Sequence, residues 1–189
     1  MFSARKKWFA AIAAASVVAA CGGGGDSMST VGSGTGMGPG FVATSLVTDV
    51  NTSANPYASS NTDAHLVNSW GIAFNPQGFV WVADAGTSTS TLYDGNGVAQ
   101  SLVVTIPPGS AGSASPTGIV FNGGSGFAVS QGGVTAPRVL LFVGEAGTVS
   151  GWAPGVNATA AIRVVDGAAA SKVYKGATLA TTGNGTLLY

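Results

Sequence analysis

Short apolar runs alternate with clusters of Gly, Asn, Asp and Pro from about Leu66 onward, and no window keeps a 3.6-residue periodicity. Short β-branched and aromatic runs bounded by turn residues are typical of strands. The predicted strands include residues 71–74, 79–82, 101–106, 118–121 and 139–143. The sequence Asp94-Gly95-Asn96-Gly97 predicts a tight turn, since Gly and Asn tolerate positive φ. The pattern therefore indicates an all-β chain.

The predicted strands recur as a repeated unit. Residues 70–75 followed by 78–83 align with 117–122 followed by 126–130, and more weakly with 175–180 followed by 185–189. The aligned glycines are Gly71, Gly118 and Gly176. Repeats of this length, with four short strands each, are typical of β-propeller blades. We expect each glycine to lie where inner strands crowd together and a side chain would clash.

The string from Asn68 to Asp84 resembles NHL-repeat and gluconolactonase-type propellers, through W-G-I-A-F-N and W-V-A-D. With T-G-I-V-F-N at 117–122 and G-T-V-S-G-W at 147–152, the chain is similar over residues 42–189 to secreted bacterial propellers of unassigned function. The resemblance implies an incomplete β-propeller of about two and a half four-stranded antiparallel blades. Members of that family are longer, so we expect a C-terminally truncated chain, a ring completed by a partner, or a stable open stack. The strand expected to complete a last blade is Val42 to Val47.

The first 20 residues predict a lipoprotein signal peptide. Arg5, Lys6 and Lys7 precede an apolar stretch, Phe9 to Ala20, that is too short to span a bilayer. The stretch leads into Val18-Ala19-Ala20-Cys21, which resembles a bacterial lipobox and implies lipidation of Cys21. Gly22, rather than Asp, follows that cysteine, which by resemblance to lipoprotein sorting favours the outer membrane. An ordinary signal peptide, or an N-terminal helix with a chance cysteine, is the alternative.

Residues 21–40 predict a flexible tether. Gly, Ser and Thr fill most of this segment, so it cannot bury enough apolar area to offset the entropy of ordering. Its glycines do not form the G-x-G-x-x-G pattern of a phosphate-binding loop. We therefore predict a signal peptide at 1–20, a tether at 21–40 and a partial β-propeller domain at 41–189.

Composition excludes several functions. The 189 residues include 7 basic and 7 acidic side chains, one His and one Cys. Basic residues cluster only near the N-terminus, which argues against nucleic acid as a partner. A single Cys excludes an internal disulfide, and a single His excludes a three-His zinc site like that of the propeller lyases.

The titratable residues of the repeats are the candidate catalytic and metal-binding groups. Asp63 and His65 could form a general acid–base pair, or could close hydrogen bonds within their own loop. Asp84 follows a strand, and the resemblance implies that such an acid can bind a divalent metal, Ca²⁺ or Zn²⁺. The alternative is that Asp84 caps a turn with Ala85-Gly86.

The remaining candidate binding residues are Asn68 and Trp152. Asn68 lies just before the first inner strand, and Trp152 is followed at once by a turn. Trp70, Trp81 and Trp152 could form an aromatic platform for a ligand. The alternative is that they fill the space between sheets, as large apolar side chains do.

Three functions are expected from these residues. The first is a cell-envelope lipoprotein whose β-propeller scaffold binds a protein or small-molecule ligand without catalysis. The second is a metal-dependent lactonase- or lyase-like enzyme, and the third is a truncated product without independent function. A propeller scaffold by itself does not select an activity. The low number of titratable groups favours binding over catalysis. The expected partners are the membrane, through the lipid on Cys21, and that ligand.

Overall fold

The short apolar runs form strands throughout the residues that the computed structural model describes, 43–52, 54–183 and 185–189. The strands are β1 Ser69–Phe74, β2 Val80–Asp84, β3 Thr89–Tyr93, β4 Val104–Thr105, β5 Pro116–Phe121, β6 Ala128–Gln131, β7 Val134–Pro137, β8 Leu140–Gly144, β9 Thr148–Trp152, β10 Ile162–Asp166, β11 Leu179–Thr182 and β12 Gly185–Leu188. The helical content of the described residues is one 3-10 turn, Ala168–Ala170. The predicted all-β class is therefore confirmed. The predicted signal peptide, Cys21 and the tether at 21–40 lie outside the described residues.

Two four-stranded antiparallel sheets make up most of the described chain. The first has the order β1-β2-β3-β4, and the second has the order β5-β8-β9-β10. We call residues 69–105 the first unit and residues 116–166 the second unit. The third unit, residues 175–189, contains the hairpin β11-β12. The predicted four-stranded antiparallel sheets are thus confirmed for two copies of the repeat.

The second unit differs from the prediction at its second strand. Residues 126–130 align with the strand that pairs with β1, but β6 instead pairs with β7 in a separate hairpin. The strand that pairs with β5 is β8. Gly132 and Gly133 explain the difference, because both have positive φ and form the two-residue turn that favours local pairing.

Of two other predicted strands, one is shorter than expected and one does not form. The prediction at 101–106 reduces to the two residues of β4. Residues 43–47 form no strand, although Thr48 makes an isolated parallel bridge with Thr62. Among the described residues, none of the helical structure is long and apolar enough to cross a membrane.

The hydrophobic core lies between the first and second sheets. Trp81 of β2 and Trp152 of β9 meet there, with ring centroids 5.0 Å apart. The core cluster consists of Ala73, Trp81, Ala83, Leu92, Val104, Ile106, Ala114, Ile119, Leu140, Phe142, Trp152 and Ala161. Since burial of one large apolar side chain is worth about 1.5–3 kcal/mol, this cluster is the main source of stability between the sheets.

Close approach of inner strands repeats along the chain. A Cβ on Gly71 of β1 would lie 3.0 Å from the backbone nitrogen of Ile119 in β5. A Cβ on Gly118 of β5 would lie 2.8 Å from the backbone nitrogen of Ala177 in the third unit. Both glycines also follow a register shift at the same place in their strands. Gly71 and Gly118 therefore serve the crowding role that the repeat predicts.

The third glycine of the repeat provides a matched test of this crowding. We expect Gly118→Ala to lower the free energy of unfolding by about 1–3 kcal/mol, because backbone atoms surround the added methyl group. Gly176→Ala should change stability far less, since nothing lies within 4 Å of a Cβ there. Urea unfolding of the two variants checks the prediction. Equal losses of stability in both would contradict it.

Candidate functional site

The first sheet has one face turned away from the core. Strand alternation and register place Ile72 and Phe74 of β1 on this face, with Val82 and Asp84 of β2. Thr91 and Tyr93 of β3 pair with Val82 and Val80 and complete it. We call this surface the front face. A segment formed by residues 43–52 and 54–66 covers its β3 side, while the β1 side is open.

A polar network joins this covering segment to the front face. Asp84 is completely buried and accepts hydrogen bonds from Ser69 Oγ at 2.6 Å and Thr91 Oγ1 at 2.8 Å. Asp63 of the covering segment accepts a hydrogen bond from the Tyr93 hydroxyl at 2.8 Å. The network therefore ties three strands and the covering segment together beneath the surface.

Burial perturbs both carboxyl groups, with opposite results. Burial raises the pKa of Asp84 to about 6, although the Ser69 and Thr91 hydroxyls favour the charged form. Burial would also raise the pKa of Asp63, but hydrogen bonds from the His65 amide, the Tyr93 hydroxyl and the His65 ring outweigh it. The pKa of Asp63 therefore lies below its ordinary value. Near neutral pH, both carboxyl groups are mostly ionised, and Asp84 takes up a proton first as the pH falls toward 6.

The Asp63 carboxylate holds the His65 imidazole ring in one orientation. His65 Nδ1 lies 2.9 Å from Asp63 Oδ1, and about half of the His65 side chain is exposed. The His65 amide donates to the same oxygen at 2.9 Å, which is the local turn that Asp favours. The structure thus brings the predicted pair together, and the pair also closes its own loop.

Asp84, the residue for which a divalent metal is predicted, is held by two hydroxyl groups. Both carboxylate oxygens of Asp84 already accept hydroxyl hydrogen bonds. Within residues 43–52, 54–183 and 185–189, no group of three or more His, Cys, Asp or Glu side chains could hold an ion. The partners of the Asp84 carboxylate are the side chains of Ser69 and Thr91 and not the backbone of the Ala85-Gly86 turn. The role of Asp84 is to link strands across the front face.

An apolar groove opens where the covering segment ends. Its volume is about 440 Å³, and Ile72 and Val82 of the front face line it together with Trp70. Val47 and Tyr57 of the covering segment form the opposite wall. Trp70 lies at the register shift of β1, and the Lys175 ammonium sits 5.3 Å from its ring centroid. This arrangement can hold an apolar group next to a few polar atoms.

Asn68 and Trp152 have different surroundings. Asn68 Oδ1 accepts a hydrogen bond from Trp70 Nε1 at 3.1 Å, so Asn68 positions one wall of the groove. Its backbone has a φ of 50°, which Asn adopts more readily than most residues. Trp152 is buried against Trp81 in the core, and its Nε1 donates to the Ala158 carbonyl. Its surroundings are those of the packing alternative.

The sequence pattern missed the residues that define the groove and the network. Ile72 aligns with Ile119 in the repeat, and nothing in the sequence shows that only one of them is exposed. Tyr93 and Thr91 lie on the same side of β3 in simple alternation. This alternation could have predicted the polar network, because it places the Thr91 and Tyr93 hydroxyls beside the strand that ends in Asp84.

Comparison with known proteins gives few relatives. No family model matches this chain, and no solved structure matches it. An uncharacterized protein of Acanthamoeba polyphaga mimivirus is 33% identical over 129 residues, which are 67% of this chain and 31% of that protein. A second uncharacterized protein of the same virus is 33% identical over 100 residues, 52% of this chain and 26% of that protein. The chain thus spans a third or less of the length of these relatives.

The raised pKa of Asp84 predicts how stability depends on pH. Between about pH 4 and about pH 6 the folded chain holds a proton on Asp84 that the unfolded chain releases, so stability falls as pH rises. Lowering the pH from about 7 to about 5 should therefore stabilise the fold by about 1 kcal/mol through this group. Asp84→Asn should lack this contribution.

Urea unfolding of the wild type and Asp84→Asn at both pH values checks this expectation. Asp63 and His65, the neighbouring titratable groups, are present in both proteins, so their direct contributions cancel in the difference. A stability difference between the two proteins that does not change with pH would contradict a raised pKa at Asp84.

Proposed function

We propose that this chain is a cell-envelope lipoprotein whose scaffold is an open stack of propeller-type blades and whose front face binds a partner. The lipid on Cys21 would hold the protein at the outer membrane, and residues 22–40 would set the reach of the domain. Incorporation of labelled palmitate that is lost in Cys21→Ser would test the anchor.

The repeated contact between units supports the scaffold part of the proposal. Two four-stranded antiparallel sheets pack side by side through their first strands, and the contact recurs between the second and third units. Blade-on-blade packing of this kind is typical of propellers. The proposal requires no closed ring, because each described contact involves only neighbouring units.

One observation carries the binding part of the proposal. Ile72 is 60% exposed, whereas Ile119 at the same position of the repeat is 5% exposed. Phe74 is 69% exposed, whereas its equivalent Phe121 packs against the core. Adjacent large apolar side chains that stay open on a sheet face mark an interaction surface. The exposed side chains of the front face are therefore of the types that interfaces bury, although no other described residues cover them.

Binding explains the polar groups better than catalysis does. Both oxygens of Asp84 are engaged by hydroxyls, and Asp63 is engaged by Tyr93 and His65. These contacts hold the covering segment against the first sheet and so fix one wall of the groove. The lactonase- or lyase-like alternative needs a divalent metal, and at Asp84 both carboxylate oxygens already accept hydrogen bonds from hydroxyl groups.

Binding of an apolar dye tests whether the groove accepts ligands. We expect 1-anilinonaphthalene-8-sulfonate to bind the folded protein, and Ile72→Glu to weaken that binding about tenfold through loss of apolar contact and the added negative charge. Val134→Glu is the matched control, because Val134 is also half exposed on a strand but lies on β7.

Dye fluorescence titrations at low protein concentration provide the measurement, and circular dichroism checks that each variant is folded. Equal affinity for the dye in the wild type and Ile72→Glu would contradict a binding role for the front face. A similar loss in the Val134→Glu control would show that the effect is one of charge alone and would also count against the proposal.

A further inference from the structure

The chain itself shows what covers a front face. In the second unit, the face that contains Ile119 and Phe142 packs against the first unit. The first unit meets that face with Gly71, Ala73 and Trp81, which combine a close backbone approach with one large ring. An equivalent surface packed against Ile72 and Phe74 would therefore cover them, as the first unit buries Ile119 and partly buries Phe121.

The third unit presents that equivalent surface. Gly176 aligns with Gly71, and nothing lies within 4 Å of a Cβ at Gly176. Thr178 aligns with Ala73 and pairs with Tyr189 through two backbone hydrogen bonds of 2.9 Å, as Ala73 pairs with Trp81. Tyr189 thus takes the position of Trp81, yet Tyr189 is 62% exposed and Trp81 is 4% exposed.

We infer that the front face of one copy of this chain binds the Gly176–Tyr189 surface of the third unit of a second copy, head to tail. This inference rests on the proposed function, because it names the partner of the same face. The contact would repeat the one between the first and second units, with Ile72 of one copy next to Gly176 of the other.

The residue types of the two surfaces agree with this partner. The front-face contacts are Ile72, Phe74 and Val82, and the third-unit contacts are Gly176, Thr178, Leu187 and Tyr189, all of them uncharged. Asp49 is a charged side chain that also lines the groove beside Ile72. Lys175, the nearest cation, is paired with Glu145. Because the two surfaces differ, the contact is heterologous, and it closes into a ring or continues as an open chain according to the rotation between copies.

Sedimentation velocity of the purified full chain, in one buffer and detergent for all variants, tests the inference. The wild type should show a mass that rises from monomer to dimer or larger between about 1 and about 200 µM. Ile72→Glu and Gly176→Val should each remain monomeric over that range. Gly176→Val removes no contact of the monomer, since the added side chain points into open space.

Gly155→Val is the matched control, because Gly155 also has nothing within 4 Å of a Cβ but lies outside both surfaces. It should associate like the wild type. A mixture of Ile72→Glu with Gly176→Val should form a dimer that grows no further, because each variant keeps one intact surface.

Three results would overturn the inference. They are a wild type that stays monomeric at every concentration, association that Gly176→Val leaves unchanged, and a mixture of the two variants that does not dimerise. Dye binding separates this failure from that of the proposed function. If Ile72→Glu weakens dye binding but the wild type is monomeric, the front face binds a different partner and only the present inference fails.

Discussion

Close backbone contact between first strands is the constraint on which the rest of the structure depends. Where Gly71 meets Ile119, a Cβ on the glycine would lie only 3.0 Å from the Ile119 backbone nitrogen, so the two strands would have to move apart by a few tenths of an ångström. The absence of a side chain there brings β1 against β5, and only then can Trp81 reach Trp152 and the core close. Gly118 makes the equivalent contact with the third unit. A glycine in the first strand therefore sets the packing of the first unit on the second and of the second unit on the third.

This stacking gives every unit two different faces. In the first unit, one face supplies small residues and the large ring of Trp81, and the other supplies branched and aromatic side chains. In the first unit, the covering segment shields part of the face that carries the branched and aromatic side chains. The hydrogen bond from Tyr93 to Asp63 holds the segment there. Asp84 is buried under this cover, where loss of hydration raises its pKa, and the open part of the face becomes the groove. The site is thus a consequence of where stacking is incomplete among the described units.

Much of the fold follows from local sequence. The β-rich runs and the turn at Asp94, whose carboxylate accepts hydrogen bonds from the Asn96 and Val98 amides, were predictable because both signals are local. The repeat also predicted the crowded glycines. It misplaced the partner of β5, because the turn at Gly132 and Gly133 creates a hairpin that the alignment of apolar runs does not reveal.

The site was less predictable, because it depends on contacts between distant residues. Asp63 and His65 lie two residues apart, and their pairing is local enough to be expected. The partners of Asp84 are Ser69 and Thr91, which lie on different strands, and no spacing in the sequence joins them. The exposure of Ile72 is even harder to predict from the sequence, since the identical residue in the aligned motif, Ile119, is buried.

Nuclear Overhauser spectroscopy of the labelled protein is the most direct measurement of the central claim, that one glycine contact stacks successive units. The account predicts cross-peaks between the Gly71 Hα protons and the Ile119 γ2-methyl group, and between the Gly118 Hα protons and the Ala177 amide. Cross-peaks at both places would establish the repeated contact in solution. Cross-peaks from the glycine protons to unrelated residues, or the expected cross-peak at only one of the two glycines, would contradict the account.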